Sequence, residues 1–325
     1  MNNTFEEIAE VLSKAQKILI YPHVSADGDA VGSSVALCRA LRLKGKEAFV
    51  LMEEELPLNL AFLDRDGYCT RELDIIKEPD ISFCVDCGDE TRFPERREKF
   101  AQAPVSICVD HHHTTKEFCD YNYVDPDAAA TGELIYDLTA AMGISGDIEI
   151  GEAVFAAITT DTGNFQYSNT TRRSFEIMAE LCDIGVDMNR VSVELYENVR
   201  LERKIIESMA LSTMQLVSGG KAVVAFVTEK MLEESGAFSE ETENVIKELR
   251  SIAGVEYAAF LKEKGAETVR LSLRAKSFGK VAAIAEKFGG GGHIKAAGAT
   301  LNMPIAAAVK AVIAELEKAA AEMEN

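Results

Sequence analysis

Three features are missing from this sequence, and each absence excludes a class of protein. The 325 residues contain no apolar run near the ~18 residues that a membrane-spanning helix needs. The N-terminal residues are acidic and amphipathic, without the basic region, apolar stretch and cleavage site of a signal peptide. Seven cysteines at irregular spacing do not make a disulfide framework. We therefore expect a reduced protein of the cytoplasm that has no membrane partner.

Basic residues are also scarce. The chain has 34 Lys and Arg against 54 Asp and Glu, a net charge of −20. Residues 1–188 carry 16 basic and 35 acidic side chains (−19), whereas residues 189–325 carry 18 and 19 (−1). Long duplex DNA is bound through a surplus of Lys and Arg, so it is not an expected partner. Residues 270–295, with six basic side chains and one acidic, are a local exception that suits a small anionic substrate.

The composition that is present, 47% hydrophobic and 27% charged, is that of a folded globular protein, and the length suggests two domains. β-Rich apolar runs alternate with helical patterns in the first half. The runs lie at 17–23, 47–52, 81–89 and 105–113, and the helical patterns at 30–44, 127–142, 150–160 and 172–184. Asp127 is the expected N-cap of the second helical pattern. This alternation predicts an α/β domain over 1–188, with a mostly parallel sheet and helices on both faces.

A long amphipathic stretch predicts a linker helix over 189–219, and a smaller α+β domain follows over 220–325. The second domain has strand patterns at 221–228, 255–263 and 267–276 and helical patterns at 241–251, 279–288 and 304–320. Lys264-Gly265, between two of these strands, is typical of a hairpin turn.

All five histidines lie in clusters with Asp or Gly, and most clusters follow predicted strands. The clusters are His23 with Asp27 and Asp29, Asp86 with Cys84 and Cys87, Asp110 with His111, His112 and His113, Asp161 with its flanking Thr residues, and His293 after four glycines. Imidazole and carboxylate groups suit Mn²⁺, Mg²⁺ or Zn²⁺. Other interpretations stay open: an Asx-rich turn at Asp27 and a helix N-cap at Asp161. Cys84 and Cys87 are expected to be core or near-core thiols and not metal ligands.

Together the clusters supply two His and four Asp, which exceeds what one ion needs. These candidate ligands are His23, Asp27, Asp29, Asp86, His111 and Asp161. Two ions about 3.5–4 Å apart can polarise a phosphoryl oxygen and activate water between them. Since ligands of parallel sheets bind beyond the carboxyl ends of the strands, the clusters predict one shared site there. A dinuclear hydrolase accounts best for this set.

The glycine run in the second domain has a separate interpretation. Backbone N–H groups of Gly290, Gly291 and Gly292 are unshielded by side chains, so a phosphate can approach them closely. His293 adds a donor beside them, and Arg274 on the preceding strand can form a bidentate clamp. The alternative is a flexible glycine run that only ends a helix.

The ordered motifs resemble those of a known family. His23-x₃-Asp-x-Asp, the strand-end Asp86, Asp110-His-His and Thr160-Asp-Thr-Gly resemble the four motifs of the DHH phosphoesterase superfamily. The glycine motif resembles that of the DHH-associated C-terminal domain. The five motifs span nearly the whole chain, whose size is most similar to the stand-alone oligoribonuclease branch. Members of that branch also dephosphorylate 3′-phosphoadenosine 5′-phosphate (pAp).

The resemblance implies specific roles. One Mn²⁺ (or Mg²⁺ or another divalent ion) would be held by His23, Asp27 and Asp86, and a second by Asp29, Asp86, His111 and Asp161. His112 would face the scissile phosphate and Asp110 would orient the histidines. The active site would lie in the cleft between the two domains. The expected substrates are short RNA and pAp, and a homodimer is compatible with the sequence.

Two alternatives accompany this expectation. One is a phosphodiesterase for cyclic di-AMP or its linear product pApA, and the other is a nucleotide sensor without catalysis. The complete ligand set argues against a sensor. Gln166 departs from the family pattern, which commonly has a basic residue there, and the resemblance assigns no role to His113.

Overall fold

The chain folds into two compact units that divide between Asn198 and Val199. The computed structural model describes residues 2–322. The division falls inside the segment predicted as a linker helix over 189–219, and a continuous helix there is wrong. The backbone forms a π-helical turn over Val193–Glu197, leaves helical geometry at Asn198 (φ −98°, ψ 68°) and begins a new helix three residues later.

In the part of the chain that the structure describes, the sheet of the first unit has six parallel strands. They are β1 (Lys17–Tyr21), β2 (Glu47–Leu51), β3 (Cys69–Thr70), β4 (Ile81–Val85), β5 (Val105–Asp110) and β6 (Tyr121–Val124). Their order is β3-β2-β1-β4-β5-β6, so the direction in which strands are added reverses between β1 and β4. A parallel sheet with such a reversal has a crevice at the carboxyl ends of those two strands.

Helices cover both faces of this sheet, as predicted. They are α1 (Phe5–Lys14), α2 (Gly28–Leu43), α3 (Arg97–Phe100), α4 (Thr131–Ala141), α5 (Ile148–Asp161), α6 (Arg172–Asp183) and α7 (Met188–Ser192). Alternate residues of β1 enter different apolar clusters. Ile18 and Ile20 pack with residues of α2 and α5, whereas Leu19 and Tyr21 pack with Phe100 of α3. A strand that is buried on both faces requires this continuous apolar sequence.

Helix α4 begins later than the sequence indicates, and Asp127 does not cap it. The helix begins at Thr131 after Ala130, which has no side-chain acceptor. Asp127 lies in a preceding turn, where its N–H donates to Oδ1 of Asp125 at 3.0 Å. The N-terminus of α4 is capped instead by the carboxylate of Asp29 from α2.

The second unit is an α+β unit with a mixed sheet. Its strands are β7 (Gln215–Val217), β8 (Ala222–Val227), β9 (Tyr257–Glu263), β10 (Val269–Ala275), β11 (Gly291–His293) and β12 (Ala296–Leu301). Its helices are α8 (Leu201–Ser212), α9 (Glu229–Ser235), α10 (Val245–Ser251), α11 (Ala282–Glu286) and α12 (Ile305–Ala321). The strand order is β11-β12-β10-β9-β8-β7, in which β8 and β9 are parallel and the other neighbours antiparallel. Apolar clusters lie on both faces of the sheet.

The hairpin turn predicted between β9 and β10 is confirmed. The N–H of Lys264 donates to the carbonyl of Thr268 at 2.8 Å, and Gly265 has a φ of +99°. That left-handed conformation is accessible to glycine at little cost, which explains the residue found there.

The prediction that Cys84 and Cys87 are core thiols is also confirmed. Both are buried in an apolar cluster beneath the carboxyl ends of β4 and β5. All seven cysteines have free thiols. Among the described residues, no helix combines the length and hydropathy that crossing a bilayer requires.

Candidate metal centre

The side chains predicted as metal ligands meet at the carboxyl ends of β1, β4 and β5. They come from the loop after β1 (His23), the start of α2 (Asp27, Asp29), the ends of β4 (Asp86) and β5 (His111), and the last residue of α5 (Asp161). Distant parts of the chain therefore place two imidazoles and four carboxylates in one cluster.

One group of ligand atoms lies around His23. Its Nε2 is 3.6 Å from Oδ2 of Asp86 and 3.9 Å from Oδ1 of Asp27. The ligand atoms of these three residues all lie within 4.8 Å of one another. The other ring nitrogen of His23, Nδ1, lies 2.7 Å from the carbonyl of Val24, which directs Nε2 towards the carboxylates.

A second group lies around His111. Its Nε2 is 3.7 Å from Oδ2 of Asp29 and 3.7 Å from Oδ2 of Asp161, and these ligand atoms also lie within 4.8 Å of one another. Oδ1 of Asp86 is 3.7 Å from the same nitrogen. Asp86 therefore offers one oxygen to each group. Nδ1 of His111 lies 3.1 Å from the carbonyl of Ala128, which fixes the ring as in the first group.

The electrostatics of the cluster favour the binding of a cation. Burial raises the pKa of Asp29 and of Asp86 well above the usual value, and neighbouring carboxylates raise both further. Burial also raises the pKa of Asp161. Among the described residues, no Lys or Arg nitrogen lies within 4.0 Å of these carboxylates or of Asp27. Buried carboxylates are costly unless paired, so the cluster fits divalent cations bound by oxygen and imidazole nitrogen.

Asp110 is fully buried and holds His112. Its Oδ1 accepts hydrogen bonds from Nδ1 of His112 at 2.8 Å and from the backbone N–H of His111 at 2.8 Å, and its Oδ2 accepts from Thr115. Burial alone would raise the pKa of Asp110, but the bonds from His112 and Thr115 hold it below its usual value. The same bond to Asp110 raises the pKa of His112. His112 is 48% exposed, so its ring is oriented by Asp110 and still accessible.

Thr131 is a site residue that the sequence does not reveal. It is fully buried at the start of α4, where its hydroxyl donates to Oδ1 of Asp86 at 2.8 Å and its N–H donates to Oδ2 of Asp29 at 2.7 Å. The N–H of Gly132 adds a bond to Oδ1 of Asp29 at 2.9 Å. The sequence gives no signal for this role, because its pattern places the start of the helix at Asp127 and not at Thr131.

The hydroxyl of Thr131 matters because Asp86 is conformationally strained. Asp86 directly follows β4 and has a φ of +54°, in the left-handed region that aspartate seldom adopts. Replacing Thr131 by valine keeps the shape and removes the donor. We expect metal affinity to fall by about 10- to 100-fold, as for other residues that orient metal ligands. Isothermal titration of the metal-stripped protein with Mn²⁺ measures this, and Thr131→Ser should retain near-normal affinity.

Metal binding should also stabilise the fold. In the metal-free protein the crowded carboxylates repel one another at neutral pH, and a bound cation relieves this repulsion. At a Mn²⁺ concentration of about 100 times Kd, the free energy of unfolding should rise by about 2.7 kcal/mol. Thermal unfolding of metal-stripped protein with and without Mn²⁺ measures the gain.

The variant Asp161→Asn tests whether the stabilisation by Mn²⁺ arises from binding to these carboxylates. Because the pKa of Asp161 is raised in the folded state, its negative charge destabilises the metal-free fold above that pKa. The neutral variant should therefore be at least as stable as the wild type without metal and should gain less from Mn²⁺. An equal gain in both proteins would remove Asp161 from the ligand set.

The segment after Asp161 is held by two further residues. Nδ2 of Asn169 donates to the backbone carbonyl of Asp161 at 3.2 Å and to the carbonyl of Ala129 at 2.9 Å. Gly163 has a φ of +55°, and a Cβ at this position would lie 2.3 Å from the ring of Tyr167. Glycine adopts this left-handed conformation at little cost, which accounts for the glycine of the Thr-Asp-Thr-Gly motif.

In the second unit most of the predicted phosphate-binding residues lie on β10 and β11, the two strands on either side of β12. Arg274 is on β10 opposite Ala296 of β12, and His293 on β11 pairs with the same residue. His293 and Gly291 are exposed, and a Cβ at Gly291 would meet nothing within 4 Å. The flexible glycine run considered above is not observed, because these residues form a paired strand.

The prediction that Gly290 offers its N–H to a phosphate is wrong. That N–H donates to the carbonyl of Ala285 at 2.9 Å and ends helix α11. A Cβ at Gly290 would lie 2.1 Å from the carbonyl oxygen of Gly298, and one at Gly292 would lie 2.6 Å from that of Ala296. These two glycines therefore allow the backbone to pack closely against β12.

Comparison with known proteins defines the class to which this fold and site belong. The model of the DHH family, N-terminal domain, matches residues 17–160, and that of the DHHA1 domain matches residues 219–322. With a relative that is 33% identical over most of both chains, these matches show that the protein belongs to the DHH family of phosphoesterases. It is an enzyme of the hydrolase class.

Comparison with individual proteins gives more detail about activity and fold. The chain is 33% identical over 299 residues to the bifunctional oligoribonuclease and PAP phosphatase NrnA of Thermus thermophilus, covering 91% of this chain and 87% of the relative. It is 24% identical to the cyclic-di-AMP phosphodiesterase GdpP of Geobacillus thermodenitrificans, covering 91% of this chain but 46% of that one. The crystal structure of an exopolyphosphatase-related protein from Bacteroides fragilis has a TM-score of 0.89 and 27% identity, covering 99% of this chain and 97% of that one.

Proposed function

We propose that the protein hydrolyses phosphodiester bonds in short RNA oligonucleotides, releasing nucleoside monophosphates, and also converts pAp to AMP. The observation that carries this proposal is the buried carboxylate of Asp86, whose two oxygens face two separate groups of ligand atoms. The similarity to NrnA over nearly the full length of both proteins supports the substrate class.

Two divalent cations, Mn²⁺ by preference, are proposed to bind the two groups. His23, Asp27 and Asp86 would hold one, and Asp29, Asp86, His111 and Asp161 the other. When bound, such a pair of cations polarises a phosphoryl oxygen and makes water a stronger nucleophile. The carboxylates and imidazoles contribute by holding these charges at fixed positions in a buried site.

His112 is the proposed proton donor. Because Nδ1 donates to Asp110, Nε2 is the ring nitrogen left for the substrate. As the oxygen of water bonds to phosphorus and the bond from phosphorus to the leaving oxygen breaks, Nε2–H donates its proton to that oxygen. Asp110 keeps the ring in the required tautomer and orientation throughout, and water loses its own proton to solvent.

The second unit is proposed to bind substrate phosphate. Arg274 supplies a guanidinium, His293 an imidazole, and the exposed backbone at Gly291 and Gly292 a surface that phosphate can approach. Gly290 serves this surface through its packing against β12 and not through its N–H.

Hydrolysis of cyclic di-AMP or pApA is a second candidate, favoured by the similarity to GdpP. That relative is about twice as long, so the similarity extends to part of it only. Steady-state kinetics on RNA dinucleotides to pentanucleotides, pAp, pApA and cyclic di-AMP separates the candidates. We expect the highest kcat/KM for short RNA, with measurable release of AMP from pAp. A higher kcat/KM for cyclic di-AMP than for any RNA would favour the second candidate.

A further inference from the structure

The turn that follows β10 carries an exposed aromatic ring. Phe278 is 62% exposed, next to Ser277 and Gly279. A single exposed apolar side chain is ordinary and needs no explanation. The way in which this turn is held, however, is unusual for a surface loop.

A buried carboxylate fixes the turn from one side. Oε1 of Glu256 accepts the N–H groups of Ser277 at 2.8 Å, Phe278 at 2.9 Å and Gly279 at 2.7 Å. Glu256 is only 5% exposed. Burying a carboxylate is costly, and three converging N–H groups offset that cost only while the turn keeps this conformation. The conformation of the turn and the burial of Glu256 therefore depend on each other.

A lysine fixes the same turn from the other side. Nζ of Lys295 donates to the carbonyl of Ser277 and, at 3.2 Å, to that of Gly279. Side chains thus accept from three N–H groups of the turn and donate to two of its carbonyls. Because the backbone on both sides of Phe278 is held in this way, its ring is attached to a rigid base.

The turn lies beside Ile294 and Lys295, the two residues that connect β11 to β12. The N–H of Ala275 donates to the carbonyl of Lys295 at 2.9 Å, and the N–H of Val281 donates to that of Ile294 at 2.8 Å. Ile294 directly follows His293. Lys276 and Lys280, both exposed, flank Phe278 in sequence. An exposed aromatic ring on a turn with two exposed lysines, next to a surface proposed to bind phosphate, matches the chemistry of a nucleotide better than that of an apolar peptide.

We propose that Phe278 is a stacking platform for a nucleobase of the substrate, an inference that rests on the proposed function. The ring would contact one base, while the phosphate attached to that nucleoside binds at Gly291–His293. Stacking does not distinguish among bases, so the platform would favour oligonucleotides over sugar phosphates without selecting a sequence. Rigidity contributes because no conformational entropy of the turn is lost when the base binds.

Kinetics with matched substrates test this proposal in the full-length protein. The substrates are the dinucleotide pApA and an analogue with the same backbone in which one adenine is absent. For Phe278→Ala we expect KM for pApA to rise by about 5- to 150-fold, the range found when an aromatic stacking residue is removed. The difference in KM between the two substrates should largely disappear in this variant. Phe278→Trp should keep it.

Phe238→Ala is the matched control. Phe238 is 58% exposed in the same unit, but its ring packs under the guanidinium of Arg200 at 4.5 Å. The control should keep the KM values of the wild type. If Phe278→Ala leaves KM for pApA unchanged, the stacking proposal is wrong, even though hydrolysis by the wild type would still support the proposed function.

If the wild type does not hydrolyse pApA, a binding measurement still tests the stacking proposal separately from the proposed function. A dinucleotide containing 2-aminopurine loses fluorescence when its base stacks on an aromatic ring. Quenching by the wild type that is lost in Phe278→Ala would support the platform without any turnover. Equal quenching in both proteins would overturn it. A change of oligomeric state in Phe278→Ala, measured by light scattering, would identify Phe278 as a subunit contact and would also overturn it.

Discussion

Replacing Asp86 by asparagine is expected to lower kcat for short RNA by at least about 10²–10³-fold, the cost of removing one preorganised electrostatic group. The loss should be this large because, within residues 2–322, Asp86 is the one carboxylate whose oxygens face both groups of ligand atoms. Asparagine keeps an oxygen that can accept the hydrogen bond from Thr131, but it lacks the negative charge that two cations share. Steady-state kinetics with saturating Mn²⁺ measure the effect.

The fold should survive this substitution. Asn is one of the few residues that tolerates the left-handed conformation of Asp86, where φ is +54°. The change also removes a buried charge that its neighbours repel. Asp74→Asn is a suitable control, because Asp74 is an exposed carboxylate of the same unit that pairs with Lys99. Normal turnover by a folded Asp86→Asn protein would refute the proposed two-cation site.

The second large effect is expected from His112→Asn. Loss of a general acid lowers rates by about 10²–10⁴-fold, and His112 is the proposed donor to the leaving oxygen. Its Nδ1 is held by Asp110, and its side chain is half exposed, so the substitution should leave the fold intact. The expected decrease is in kcat, while the affinity for Mn²⁺ changes little because the two main ligand groups lack His112. Kinetics and Mn²⁺ titration of the same preparation measure both.

His113→Asn is the matched control for this prediction. His113 is the adjacent, exposed imidazole. Besides the two groups described above, Asp86, His111 and His112 form a third group of potential metal ligands, and none of these three groups includes His113. The His113→Asn variant should keep the activity of the wild type. If His112→Asn instead loses Mn²⁺ affinity by a large factor, His112 acts as a ligand in the group that it forms with Asp86 and His111. The role as proton donor would then be wrong.

Four strands of the first unit, β1, β2, β4 and β5, were predictable because they are largely buried on both faces. Such strands read as continuous apolar runs, as Ile18–Tyr21 and Phe83–Val85 do. The short strand β6, with Asn122 in its centre, has no such run. Strand β12, with the sequence Ala-Ala-Gly-Ala-Thr-Leu, has small residues whose pairing depends on β10 and β11. Partners distant in sequence therefore determine these elements, and local patterns do not show them.

The candidate site was predictable to the extent that its residue types are rare. Histidine and strand-end aspartate stand out from an apolar sequence, so the six ligands could be proposed before their distances were known. Thr131 and Asn169 could not, because their roles depend on hydrogen bonds to residues distant in the chain, Asp86 for Thr131 and Ala129 for Asn169. The role of Gly290 was misassigned because a sequence does not show which N–H groups already have an acceptor.

Release of AMP from pApA by metal-stripped protein, with and without added Mn²⁺, tests the central claim most directly. This single measurement tests both the metal site around Asp86 and the hydrolysis proposed to occur there. The account predicts no release without metal and sustained release after Mn²⁺ is added, with Asp86→Asn inactive in both conditions. The account would be contradicted if the metal-stripped protein released AMP equally fast. It would also be contradicted if no AMP were released although Mn²⁺ is bound and the fold is intact.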